Sequence, residues 1–248
     1  GFSSGLPILL VFSTLSVWLH KAGIDRSTVT LFSWAGFAYA FKYLWSPLVD
    51  NFKIPFFVKL GHRRSWLLFS QIMILFSLIA TALTDPSINI YLTAVAITSL
   101  AIFSATQDII IDAYRIESAP QKYQGPLSSM YIGGYRLAML VGGAGSLWLA
   151  SYFGVETYDQ SVWMAVYIVM GSFMFIGILT TLLSSEPNLK RNILGKSKNH
   201  TRFLLVILFS IVCFILLYSK IENPYGSENI LNKFLFASFR ICLCFFLM

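Results

Sequence analysis

The chain has 248 residues, of which 56% are hydrophobic and only 12% are charged, and its mean hydropathy is +0.70. Soluble domains carry about 25% charged residues, so this composition excludes a water-soluble globular protein and predicts one that lies in lipid. The net charge of +7 is compatible with nucleic-acid binding. Most Lys and Arg, however, lie in loops between apolar runs, which argues against nucleic acid and is typical of basic cytoplasmic loops.

Eight apolar segments follow one another along the chain. They cover about residues 2–19, 29–48, 66–82, 88–113, 127–153, 162–183, 203–218 and 234–248. About 20 helical residues cross a bilayer core of about 30 Å, and backbone groups in lipid must hydrogen-bond within their own segment. The sequence therefore predicts an all-α integral membrane protein. Its parts are a six-helix N-terminal bundle over 1–184, a basic cytoplasmic loop over 185–202, and two additional transmembrane helices within 203–248.

The loops predict the orientation of these helices. Lys and Arg are concentrated after the second, fourth and sixth segments, which places those loops and the N-terminus in the cytoplasm. Asn199 begins a glycosylation sequon, but on the cytoplasmic side it would stay unmodified. The three His and three Cys have no metal-ligand or disulfide spacing, and no motif of a hydrolase, zinc protease or P-loop protein occurs. We expect neither a cofactor nor enzyme activity.

The fourth apolar segment ends in SATQDIIIDAYRIE, residues 104–117, where acids stand beside isoleucines. Helical periodicity places Asp108, Asp112 and Arg115 in one stripe, with Gln107 at its edge. A carboxylate inside a bilayer costs roughly 2.5 to 3.5 kcal/mol. Asp108 is therefore predicted to face a watery cavity, to pair with a cation or to take up a proton. The alternative is a position at the cytoplasmic interface, which fits Asp112 better than Asp108.

Two cations also lie inside apolar segments, Lys42 in the second and Arg136 in the fifth. Arg136 has two interpretations. Its guanidinium either faces a cavity, where it pairs with Asp108 or binds an anionic solute, or it snorkels to the interface. Lys42 likewise either snorkels or pairs with an acid on another helix.

The fifth segment carries a small residue at every fourth position. This spacing lets two helices approach closely, and it predicts a packing face for the segment. The face consists of Gly134, Ala138, Gly142 and Ser146.

The loop between the second and third segments combines an acid with a glycine and two arginines. Asp50 closes one helix, and Gly61, Arg63 and Arg64 lead into the next. An acid that faces paired Arg residues forms a charge clasp between helix ends. This loop resembles the cytoplasmic signature loop of the major facilitator superfamily, with a longer separation between Asp50 and Gly61 than in its common form.

Five stretches together resemble the AmpG muropeptide permease family of that superfamily, over about residues 1–187. They are GFSSGLP at 1–7, FKYLWSPLVD at 41–50, GHRRSWLL at 61–68, SATQDIIIDAYRIE at 104–117 and GYRLAMLVGG at 134–143. The resemblance implies two six-helix bundles around a cavity. It also implies import of anhydromuropeptides, sugar–peptide fragments of recycled cell wall, across the bacterial inner membrane, driven by protons.

Eight segments are fewer than the twelve that the resemblance implies. Residues 203–248 are then an inserted helix pair or the start of a second bundle. Two other functions stay open. One is a truncated, inactive remnant of a transporter, and the other is a facilitator of another anionic solute such as an acyl-CoA.

Overall fold

The computed structural model describes residues 1–54, 60–154 and 158–187, all within one compact unit. Every regular element in these ranges is a helix, so the all-α prediction is confirmed. Six long helical stretches are α1 Phe2–Lys21, α2 at 26–51, α3 His62–Leu83, α4 Ile90–Ser118, α5 at 124–153 and α6 Gln160–Leu183, and a short 3₁₀ turn, Gln121–Tyr123, precedes α5. The helices predicted within 203–248, most of the loop 185–202, Asn199 and the three cysteines lie outside the described residues.

Four of the described helices, α1, α3, α4 and α6, are long and apolar enough to cross a membrane. Helix α5 is continuous but contains a π-helical turn at Val141–Gly145. The stretch α2 is less regular than the uninterrupted helix predicted for 29–48. It consists of five short pieces: Arg26–Leu31, Phe32–Ala35, Gly36–Ala40, Lys42–Leu44 and Ser46–Asn51.

One cause of this irregularity is Pro47, at the start of the last piece of α2. Proline donates no backbone hydrogen bond and disfavours helical geometry in the residue before it. The Lys42–Leu44 piece is a 3₁₀ turn between Phe41 and Trp45, whose φ angles are −101° and −105°. A 3₁₀ turn has three residues per turn, so the side chains within it point in directions that a straight α-helix would not give them.

Helix α1 supplies the centre of the apolar core. Five of its large side chains are fully buried, namely Leu6, Leu10, Leu15, Trp18 and Leu19. Around them pack the buried aromatic residues of α6: the Trp18 ring stacks on that of Trp163 at 6.0 Å and lies 5.1 Å from that of Tyr167. The Tyr167 hydroxyl donates to the Leu10 carbonyl at 3.0 Å. Leu10 begins the π turn of α1, so this bond ties α6 to an irregular part of the α1 backbone.

The small-residue face of α5 lies against α1. A Cβ atom at Gly142 would lie 2.7 Å from the Leu6 carbonyl oxygen, and one at Gly5 would lie 2.3 Å from the Tyr135 carbonyl oxygen. The contact is also polar, because Thr14 donates to the Gly142 carbonyl at 3.0 Å. Both helices therefore bring glycines to the interface, and their backbones are close enough that a methyl group on either glycine would displace the partner.

At the end of the bundle opposite the N-terminus, a hydrogen-bonded loop joins α3, α4 and α6. Asp85 accepts from the amide and hydroxyl of Ser87, at 2.9 and 2.6 Å, and from the Tyr158 hydroxyl at 2.9 Å. Partial burial raises the pKa of Asp85, but these hydrogen bonds outweigh it and hold that pKa below its ordinary value. Burial raises the pKa of Tyr158 to about 12, so its hydroxyl keeps its proton and remains a donor.

Candidate functional site

A carboxylate, a cation and a hydroxyl meet inside the bundle. Asp108 lies in α4, ten residues before the helix ends at Ser118, which corresponds to about 15 Å along the helix. Asp108 is 6% exposed. The Ser4 hydroxyl of α1 donates to Oδ1 of the carboxylate, and the ammonium nitrogen of Lys42 lies 3.5 Å from Oδ2. Each carboxylate oxygen thus has its own partner from a different helix.

The irregular shape of α2 accounts for this pairing. Lys42 lies in the 3₁₀ turn of α2, and its side chain is 32% exposed while that of Asp108 is 9% exposed. Removing a carboxylate from water costs several kcal/mol, and a close cation with an additional hydrogen bond offsets part of that cost. The pair therefore joins one buried charge to one that is partly exposed.

Uncharged polar groups extend the site. The Tyr131 hydroxyl of α5 lies 3.2 Å from the Ser4 hydroxyl. The Gln107 amide donates to the Ser3 hydroxyl at 3.2 Å, so Gln107 lies next to Asp108 but contacts α1 rather than the carboxylate. Four helices, α1, α2, α4 and α5, thus contribute polar side chains within the bundle.

The other charges of α4 and α5 do not join this group. Arg136 is exposed, and its guanidinium lies 3.9 Å from the Met139 sulfur. The suggested pairing of Arg136 with Asp108 is therefore wrong, since the cation at Asp108 is Lys42. Asp112 lies 3.4 Å from Arg115, on the same helix. Periodicity placed Asp108, Asp112 and Arg115 in one stripe, but it could not tell which helix supplies the cation at Asp108.

A second cluster, which we call the charge clasp, lies at the helix ends and contains Asp50, Arg63 and Glu117. Arg63 is 5% exposed. Its guanidinium donates to both oxygens of Glu117, at 2.9 and 2.6 Å, and to Asp50 at 2.6 Å. The two-point contact with Glu117 fixes both planar groups. One arginine of α3 therefore joins the end of α2 to the end of α4.

Glu186 connects α6 to the same region. Its carboxylate accepts from the backbone N–H groups of Arg63 and Arg64 at 2.8 and 3.1 Å, which otherwise have no partner in the first turn of a helix. Gly61 has φ of +97°, and a Cβ atom there would lie 2.4 Å from the Glu186 side chain. In return, the Arg64 guanidinium donates to the Thr181 and Leu182 carbonyls at 3.1 and 2.7 Å, near the end of α6.

The sequence pattern identified Asp50, Gly61, Arg63 and Arg64 but missed Glu117 and Glu186. Glu117 is the last residue of the SATQDIIIDAYRIE stretch, and Glu186 precedes Pro187 just after α6. Both positions carry a signal in the sequence, which is an acid at a helix end beside a basic loop.

Within the described ranges, no three His, Cys, Asp or Glu side chains are arranged to hold a metal ion.

An apolar helical bundle with a carboxylate–cation pair inside and a charge clasp at its helix ends is typical of a multi-pass membrane transporter. The chain belongs to the Major Facilitator Superfamily, whose family model matches residues 1–248.

Three relatives make the relationship more specific. The chain is 39% identical over 188 residues to the anhydromuropeptide permease of Escherichia coli K12, which is 75% of this chain and 36% of the relative. It is 37% identical over 191 residues to the putative transporter AmpG 4 of Rickettsia felis, covering 77% of this chain and 45% of the relative. It is 35% identical over 243 residues to the putative transporter AmpG 3 of Rickettsia prowazekii, covering 96% and 54%. The chain spans about half the length of the curated relatives it matches.

Proposed function

We propose that this chain is part of a secondary active transporter that imports anhydromuropeptides together with protons across the bacterial inner membrane. The observation that carries the proposal is the buried Asp108 carboxylate, paired with the partly exposed Lys42. A relative that bears the name anhydromuropeptide permease supports the class of solute. The basic loops support an N-terminus in the cytoplasm.

The pair offers a physical route to coupling. While Asp108 is ionised, Lys42 is neutralised by it. A proton on Asp108 removes the negative charge and leaves the ammonium of Lys42 with an unpaired positive charge beside the exposed surface. An anionic group of the solute, such as a carboxylate of its peptide, then replaces Asp108 as the partner of Lys42. The proton removes the negative charge that had paired with Lys42, and the solute supplies a new negative charge in its place. Solute and proton therefore bind together.

Movement of the bundle follows from alternating access, in which one bundle rocks against another around a central site. In this proposal the charge clasp of Asp50, Arg63 and Glu117 holds α2, α3 and α4 together, so that these helices move as one body. The α1–α5 interface has the same effect through its close backbone contact. Asp108 and Gln107 of α4 and Lys42 of α2 then keep their relative positions while access changes from one side to the other.

The direct test is uptake of radiolabelled anhydromuropeptide into vesicles that contain the product of the complete open reading frame encoding this chain. We expect accumulation that requires a proton gradient and stops when a protonophore collapses it. Vesicles without the protein provide the background. Uptake equal to that background, with or without the gradient, would contradict the proposal. If excess acyl-CoA abolishes the uptake while unlabelled muropeptide leaves it unchanged, the result would favour the other anionic solute instead.

A further inference from the structure

Three oxygen atoms form a continuous line from the buried site towards the surface. The Asp108 carboxylate accepts a hydrogen bond from the Ser4 hydroxyl, and the Ser4 oxygen lies 3.2 Å from the Tyr131 hydroxyl. Ser4 is fully buried, whereas Tyr131 is only partly buried. The line therefore begins at an enclosed carboxylate and ends at the hydroxyl of a partly buried tyrosine.

The direction of these hydrogen bonds follows from the number of protons available. A serine hydroxyl has a single proton, and Ser4 gives that proton to the ionised Asp108. The bond between Ser4 and Tyr131 must then be donated by Tyr131. Both bonds point the same way, towards the carboxylate, which is the arrangement that a proton needs in order to pass along a hydroxyl chain.

We propose that Ser4 and Tyr131 form the relay that carries protons between Asp108 and the water at the cytoplasmic end of the bundle. This inference rests on the proposed function, and it adds the residues that serve Asp108. As observed, the chain passes a proton from Tyr131 through Ser4 to an ionised Asp108. For release towards the cytoplasm, the protonated Asp108 donates to Ser4, and both hydroxyls turn so that Ser4 donates to Tyr131 and Tyr131 donates to water. Asp108 then gives its proton to Ser4, Ser4 gives its own to Tyr131, and Tyr131 gives its own to water. Each O–H bond breaks as the next one forms, so one proton moves in total and neither hydroxyl keeps a charge.

The location of Tyr131 sets the direction of the path. It lies seven residues into α5, about 10 Å from the start of that helix at Gln124. Asp108 is about 15 Å from the end of α4 at Ser118. Because α4 and α5 are joined through the loop between these two ends, Tyr131 is nearer than Asp108 to the side that we assign to the cytoplasm.

A cation lies at each end of the relay. Arg115 of α4 lies over the Tyr131 ring, 5.4 Å from its centre, and is itself paired with Asp112. Lys42 of α2 faces Asp108. The remaining titratable side chains near the carboxylate, among the described residues, are Tyr39 of α2 and Tyr135 of α5. A cation over the Tyr131 ring opposes a proton that rests there, which favours its onward passage to water.

The test separates proton movement from solute movement in proteoliposomes of the complete protein. Proton-driven uptake requires the relay, whereas exchange of internal for external muropeptide needs no net proton transfer. We expect Tyr131→Phe to lower proton-driven uptake by at least about tenfold and to leave exchange within about twofold of wild type. Tyr135→Phe is the matched control, because it removes a hydroxyl one turn further along α5, from a ring 6.0 Å away.

The outcomes are distinguishable. Equal losses of exchange and of proton-driven uptake would mean that the Tyr131 hydroxyl only supports the structure, and unchanged proton-driven uptake would mean that protons take another path. Either result overturns the relay while the proposed function stands. Absence of proton-driven uptake in wild type and in Tyr135→Phe would overturn the proposed function, and the relay with it. If Tyr131→Phe fails to fold, the wild-type protein in D₂O decides, since the relay requires proton-driven uptake to slow more than exchange.

Discussion

Replacing Arg63 by Met tests the charge clasp most sharply. The methionine keeps an apolar stem but removes the guanidinium, whose side chain is 6% exposed. Glu117, 21% exposed at its side chain, and Asp50, 45% exposed, then lose their common cation. Removing one partner of a buried ion pair costs about 3 to 5 kcal/mol, mostly because a charge stays buried without compensation. Since Glu117 and Asp50 are both partly hydrated, we expect about 3 kcal/mol, the lower end of that range.

The two acids should contribute unequally. Glu117 receives two hydrogen bonds from Arg63 and is the more buried, so Glu117→Gln should cost about 2 kcal/mol. Asp50 receives one and is nearly half exposed, so solvent screening should limit Asp50→Asn to less than about 1 kcal/mol. Lys122→Met is the matched control, because it removes a cation in the α4–α5 loop that contacts only the Tyr123 ring among the interactions described.

The measurement is the free energy of unfolding in detergent micelles, followed by tryptophan fluorescence during denaturation. Double-mutant cycles should give a coupling of about 2 kcal/mol for Arg63 with Glu117 and less than about 1 kcal/mol for Arg63 with Asp50. A cost below about 1 kcal/mol for Arg63→Met would refute the argument. So would a larger coupling to Asp50 than to Glu117.

Two further predictions concern packing and pH. Gly142→Ala should lower the free energy of unfolding by about 1 to 3 kcal/mol, because its methyl group would lie 2.7 Å from the Leu6 carbonyl oxygen. Gly133→Ala, with open space around it, should be tolerated. Equal effects of the two substitutions in thermal unfolding would contradict the packing. Asp85 has a lowered pKa, so its contribution is present above the ordinary value of 3.8 and lost as pH falls through the lowered value. Asp85→Asn should therefore cost about 1 kcal/mol at pH 7 and make unfolding less sensitive to acid between pH 5 and 3; an unchanged pH profile would contradict this.

The sequence was most informative where a property belongs to one segment. Apolar length gave the positions of α1, α3, α4 and α6, because the requirement to span lipid acts on each segment separately. The four-residue spacing of Gly134, Ala138, Gly142 and Ser146 gave the packing face of α5 for the same reason. Its partner was not predicted, although Gly1, just before α1, and Gly5 in α1 have the same spacing.

Contacts between segments were harder to predict from the sequence. Lys42 reaches Asp108 from the 3₁₀ turn in α2, and no periodicity in the sequence predicts that turn. Hydropathy treats Lys42 and Arg136 alike, since each is one charge in an apolar run. Glu117 and Glu186 were missed for a related reason. They are 54 and 123 residues from Arg63, and only the folded chain brings them to it.

The most direct test of the central claim is proton-driven uptake of anhydromuropeptide by Asp108→Asn, compared with Asp112→Asn one helical turn away. Asn keeps the size of the side chain and removes its charge and its ability to take up a proton. We expect Asp108→Asn to fold, to retain some exchange of solute and to lose accumulation driven by the proton gradient, while Asp112→Asn, whose partner Arg115 lies outside the pair, keeps it. Accumulation by Asp108→Asn with the gradient dependence of wild type would contradict the account.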